Sequence, residues 1–170
     1  MTGPEVPSSI DRDVLKSYLN DHLTGAAGGR ARANRMKQWY AETPIGTGLA
    51  AVADEIDEEY HHLHQLVGRL GLRRRLPLLL LARAGEMAGR LKPNGRGAKS
   101  SPVTPVLELE LLRAAVNGKQ GLWQTLAEHS GELGLDEQEY RRRSRMAEQQ
   151  ERVLEDLHAR CRARAFGASS

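Results

Sequence analysis

Apolar positions between residues 45 and 70 recur in steps of three and four: Ile45, Leu49, Val52, Ile56, Leu63, Leu66 and Leu70. This is the period of one face of an α-helix. The series has one gap, and the residue standing in it is Glu59. Comparable patterns predict three further long helices. The first runs from about Ser9 to Tyr40. Thr43-Pro44 sets a capping hydroxyl before a proline and so starts the second helix, which stops at Gly71. A third helix begins near Thr104-Pro105 and ends around Gly131 to Gly134. Asp136, with Glu139 three residues on, makes a capping-box start for the fourth, which continues to about Phe166.

Between the second and third helices lies a long connection, residues 72 to 101. Its first part, LRRRLPLLLLARAGEMAGRL, predicts a shorter helix, and KPNGRGAKSSP reads as a loop. Two short-loop helix pairs joined by one long crossover describe a type of four-helix bundle. The expected fold is therefore all-α, a single domain over 9–166, with flexible ends at 1–8 and 167–170.

Composition agrees. Aromatic residues make up 4% of the 170 residues, while Leu, Ala, Arg and Glu dominate, a palette that suits helices and disfavours sheets. The single cysteine, Cys161, has no internal disulfide partner and reads as a buried structural thiol in a reducing compartment. The N-terminus MTGPEVPSSIDRD shows no signal-peptide pattern. LPLLLLARAG at 76–85 is far short of the ~20 apolar residues that a membrane span needs. A cytoplasmic protein without a membrane partner is the expectation.

The net charge of +3 comes with arginines clustered at Arg73–Arg75, Arg141–Arg143, and Arg160, Arg162 and Arg164. Acids such as Glu137, Glu139, Glu148 and Glu151 are interleaved with them. That pattern reads as solvated helix faces, and nucleic-acid binding is disfavoured. No phosphate-binding glycine loop and no local Ser-His-Asp signature is present.

The candidate chemistry lies in DEIDEEYHHLHQLV, residues 54–67. On the apolar face of that helix, Glu55, Glu59 and His62 form the inward set, whereas Asp54, Asp57, Glu58, His61 and His64 fall to the flanks. A buried carboxylate costs several kcal/mol, of order ~3–5, unless a cation or hydrogen bonds compensate it. The fourth helix repeats the spacing: Glu151, Glu155 and His158, like Glu55, Glu59 and His62, read E-x-x-x-E-x-x-H.

With this duplicated E-x-x-H on the second and fourth helices, the chain resembles the ferritin-like superfamily of di-iron and di-manganese proteins. The resemblance covers the four long helices and implies a ferritin-like four-helix bundle. It further implies metal ligation by Glu59 and His62, and by Glu155 and His158, with iron or manganese as cofactor. Such centres perform oxygen, peroxide or ferrous-iron chemistry, which would make the chain an oxidoreductase. On the third helix Glu110 lies level with Glu155 when residues are counted from the intervening loop at ~1.5 Å each, and it is preferred to Glu108.

The first helix departs from the family pattern, because NDHLTGAAGGRA has no glutamate. His22 takes that position if HLTGAA is aligned with ELLRAA from Glu110, and Asp21 is the other nearby ligand type. A second reading follows from this departure: a degenerate bundle acting as a structural or protein-interaction module, its inward charges paired with arginines such as Arg30, Arg113 or Arg152. A basic, nucleic-acid-protecting relative is the third and weakest. Metal ions are the expected partners, and whether bundles assemble into a homo-oligomer is left open by the sequence. The small residues in GAAGG either let two helices approach closely or leave a cavity beside the polar groups.

Overall fold

A computed structural model of the chain describes residues 7–73 and 101–167. Among the described residues there are helices and no strand. They are α1 (Arg12–Trp39), α2 (Gly46–Arg69), α3 (Thr104–Glu128), the single turn α4 (Ser130–Leu133) and α5 (Glu137–Phe166). The predicted short helix and loop of the connection fall on 74–100, outside the described residues.

The helix ends follow from local chemistry. Asp11 caps α1, its carboxylate accepting from the N–H groups of Asp13 and Val14. Gly71, at φ 64°, stops α2, and Gly134, at φ 63°, closes α4; both sit in the left-handed region that favours glycine. Pro105 occupies the first turn of α3, where no N–H is needed.

Two predicted starts differ in detail. The Thr43 hydroxyl donates back to the Tyr40 carbonyl at 2.6 Å, and the Gly46 N–H donates to the Thr43 carbonyl at 2.9 Å. Thr43-Pro44 therefore builds the turn, and α2 begins afterwards at Gly46. A side chain at Gly46 would run into the carbonyl oxygens of Ala41 and Tyr40. Asp136 caps α5 by accepting from the Gln138 N–H at 2.9 Å, but the Glu139 carboxylate pairs with Arg143 instead of closing the capping box.

Each long helix packs against two others. Lys37 meets Asp54 and Arg30 meets Asp57, so α1 and α2 run antiparallel. Gln120 to Glu148 and Glu110 to His158 show the same for α3 and α5. The two pairs then face one another. Tyr18 contacts Thr125, and Arg35 contacts Glu108, placing α1 on α3; Gln150 contacts Glu55, and Tyr140 contacts His62, placing α5 on α2. Both of these contacts are antiparallel too, so α2 and α3 point the same way.

The apolar series read from the sequence of α2 is buried along its whole length, and Glu59, the residue in its gap, is buried with it at 2% exposure. α1 contributes Leu19, Ala33 and Met36; α3 contributes Leu109, Leu112, Val116, Trp123 and Leu126; α5 contributes Tyr140, Ala147, Leu154 and Leu157. Among the described residues no helix is long and apolar enough to cross a membrane.

Burial separates consequential from inconsequential leucines. Leu66→Ala, in the fully buried stripe of α2, lowers unfolding free energy by about 2–5 kcal/mol. Leu107→Ala, at an exposed position of α3, stays within about 0.5 kcal/mol of wild type. Urea denaturation followed by circular dichroism checks both.

Candidate functional site

The gap in the apolar stripe of α2 has a counterpart on α3. There Leu109, Leu112, Val116, Trp123 and Leu126 step by three and four, and the missing member is Lys119. α2 and α3 place the two gaps against each other, and the Lys119 ammonium forms an ion pair with Glu59 Oε2. Gln150 on α5 completes the group. Its carbonyl accepts from Lys119, while its amide donates to Glu55 Oε2 at 2.8 Å and to Glu59 Oε2 at 3.2 Å. Burial alone pushes the Lys119 ammonium below its usual range, and the facing Glu59 opposes that shift.

One turn further, His62 is fully engaged. Arg143 donates to His62 Nδ1 at 2.9 Å, which leaves the ring proton on Nε2, 3.3 Å from the Tyr140 hydroxyl. Trp123 stacks edge-on against the same ring. Burial, with the Arg143 charge as second cause, lowers the His62 pKa to about 4. Burial likewise raises the Tyr140 hydroxyl to about 12.

The second E-x-x-H lies elsewhere. Gln150, not Glu155, stands opposite Glu59, and Glu155 is more than a turn further along α5. Its phase differs as well. The buried positions Tyr140, Ala147, Leu154, His158 and Cys161 set the inward face of α5. Glu155 falls outside that face, with its side chain 64% exposed and its nearest cation, Arg113, at 4.0 Å. On α2 the glutamate points inward and the histidine sits at the edge; on α5 the order is reversed.

His158 is buried and belongs to a separate cluster. Arg113 lies 3.3 Å from His158 Nδ1 and makes a 2.9 Å bond to Glu151, while His158 Nε2 meets Glu110 Oε1 at 3.1 Å. Glu110 itself is half exposed. The buried carboxylate of α3 is Glu108, contrary to the preference drawn from depth. It accepts from the Tyr40 hydroxyl at 2.8 Å and pairs with Arg35 at 3.5 Å.

His22 joins neither cluster, although it shares a cavity with Glu59 and Lys119. It packs edge-on against Tyr18, and burial lowers its pKa. The proposed ligands Glu59, His62, Glu110, Glu155, His158 and His22 are thus distributed over three places. Among the described residues no group of three or more His, Cys, Asp or Glu side chains could hold a metal ion. The donor set does not fit a shared iron or manganese centre: Lys119 pairs with Glu59, Arg143 donates to His62, Arg113 lies against His158, and Glu155 points to solvent.

His22 instead lines a cavity of about 380 Å³ between α1, α2 and α3. Gly25, Ala26 and Gly29 of the GAAGG run form one wall, and Glu59 with Lys119, together with Asp21 and His22, contributes the charged and polar part of the lining. Of the two readings of GAAGG, the structure shows the open space and not a close helix approach. A methyl group at Gly29 would touch the Ala115 side chain at 3.8 Å, whereas one at Gly25 would meet nothing within 4 Å. Cys161 is a free, buried thiol that burial pushes up, consistent with a structural role.

Three of the eight arginines on α5 are tied to acids one turn away: Arg141 to Glu137, Arg143 to Glu139 and Arg160 to Asp156. Of the arginines named as partners, Arg113 closes the His158 cluster and Arg30 pairs with Asp57, while Arg152 is exposed. Lys119 and Gln150 were missed in the sequence. The signal for Lys119 was the gap in its own apolar series.

No family model matches the chain, and no curated protein or solved structure matches it either.

Two outcomes follow from this geometry. Lys119→Ala strands a buried carboxylate and costs about 3–5 kcal/mol of stability, whereas Glu59→Leu combined with Lys119→Met recovers wild-type stability or exceeds it. Chemical denaturation of the three proteins measures this. The second concerns pH. His62 titrates at about 4 in the folded chain against 6.5 in an unperturbed one, so the unfolded state binds the extra proton as pH falls below 6.5. Stability therefore drops as pH decreases through that window. His62→Gln flattens the decline between pH 6.5 and about 5, measured from denaturation midpoints.

Proposed function

We propose that the chain is a ferritin-like four-helix bundle that works without a metal centre, as a structural or protein-interaction module. The directions of the helices support the topology. α2 and α3 run parallel, while α1 is antiparallel to α2 and α3, and α5 is antiparallel to both of them, the helix directions of a ferritin-like bundle.

The observation that carries the functional reading is the Lys119 ammonium on Glu59. A carboxylate at the centre of a helical bundle needs a positive partner, and here the chain supplies one from its own third helix. Arg113 does the same for Glu151 and His158. These cations satisfy the electrostatic demand that a metal satisfies in di-iron proteins. The competing reading keeps the metal: an iron or manganese oxidoreductase using Glu59, His62, Glu110, Glu155 and His158, with His22 or Asp21 in support.

Anaerobic loading with ferrous iron or manganese, followed by gel filtration and metal analysis, separates the two. A metal-free module retains no stoichiometric metal. Retention of metal by the wild type, lost in Glu59→Ala combined with Glu155→Ala, would establish the competing reading.

A further inference from the structure

The cavity between α1, α2 and α3 has two features that packing does not explain. Glu59 engages Lys119 and Gln150 through Oε2, and its other oxygen, Oε1, is buried with no hydrogen-bond partner. Trp123 is 1% exposed, and its indole Nε1–H is likewise without a partner. Both residues line the cavity. Buried polar groups are ordinarily matched, and leaving one unmatched costs on the order of 1–3 kcal/mol. One of the two is an obligate acceptor and the other an obligate donor.

The remaining lining states what else a ligand must be. Tyr18, His22, Tyr60 and Trp123 offer ring surfaces, and Gly25 and Gly118 leave open space where side chains would stand. The volume of about 380 Å³ lies toward the lower end of the ~300–1,000 Å³ range of small-molecule sites. At the buried end the charge of Glu59 is balanced by Lys119, so the part of a ligand seated there carries no net charge; Asp21, the other carboxylate of the lining, is exposed.

We propose that this cavity is a binding site for a small, neutral, hydroxylated aromatic molecule. Its ring packs between the aromatic side chains and the glycine wall. Its hydroxyl, which both donates and accepts, donates to Glu59 Oε1, and the Trp123 N–H serves the acceptor side of the ligand. The site rests on the packing of α1, α2 and α3 and on the metal-free reading of Glu59, whose Oε1 it uses.

The test uses 2-naphthol and its methyl ether as probes on the intact chain, by isothermal titration calorimetry and Trp fluorescence. Wild type binds 2-naphthol saturably at one site, and the ether, which lacks the donor, binds about tenfold or more weakly, as loss of a hydrogen bond to a charged group requires. Gly25→Leu combined with Gly118→Leu fills the space and removes binding. These substitutions replace helical glycines with open space at the Cβ, so helical circular dichroism is retained and Tm is equal or higher. Absence of saturable 2-naphthol binding, equal affinity for the ether, or undiminished binding by the folded double variant would each overturn the proposal.

Discussion

The structure depends on a buried carboxylate that must be neutralised. Glu59 occupies a core position of α2, and every other member of its stripe is apolar. Removing that charge from water is tolerable only if a cation and hydrogen bonds meet it in a fixed geometry. Lys119 and Gln150 do so from two different helices. The three side chains therefore couple the α1–α2 pair to the α3–α5 pair at one level, and set the register in which the four long helices meet. Apolar stripes alone would allow α2 and α3 to slide by a turn at modest cost. A slid register would leave both charges buried and unmatched.

The same requirement explains why two identical sequence motifs end in different environments. E-x-x-x-E-x-x-H fixes the spacing of its members but not their phase against the apolar stripe. In α2 the stripe passes through Glu59, and His62 lies at the edge against Arg143 and Tyr140. In α5 it passes through Leu154, His158 and Cys161, which turns Glu155 out to solvent. Each histidine then finds an arginine for Nδ1 and an oxygen for Nε2, so the two clusters are chemically alike without being close.

Small residues have the converse effect. A methyl at Gly29 would make ordinary contact with Ala115 of α3, while exposed Gly25 and Gly118 leave open space at the mouth of the cavity. Protein interiors are ordinarily packed to near-crystalline density. A cavity bordered by glycines on two helices, with a carboxylate oxygen and an indole N–H unmatched at its wall, is thus a feature of chemistry as well as of shape.

Read from the chain alone, the helices were legible because their signals are local: the three-and-four stepping of apolar residues, Asp136 before α5, and Gly71 and Gly134 at helix ends. The inward place of Glu59 was legible for the same reason, as a gap in one stripe. What tertiary structure decided is which groups meet. Lys119 had to be brought from sixty residues away, Glu108 rather than Glu110 was turned inward, and Glu155 was separated from Glu59. Those outcomes depend on the rotation and axial offset of one helix against another. Periodicity along a single helix carries neither quantity; the matching of buried charges between helices sets both.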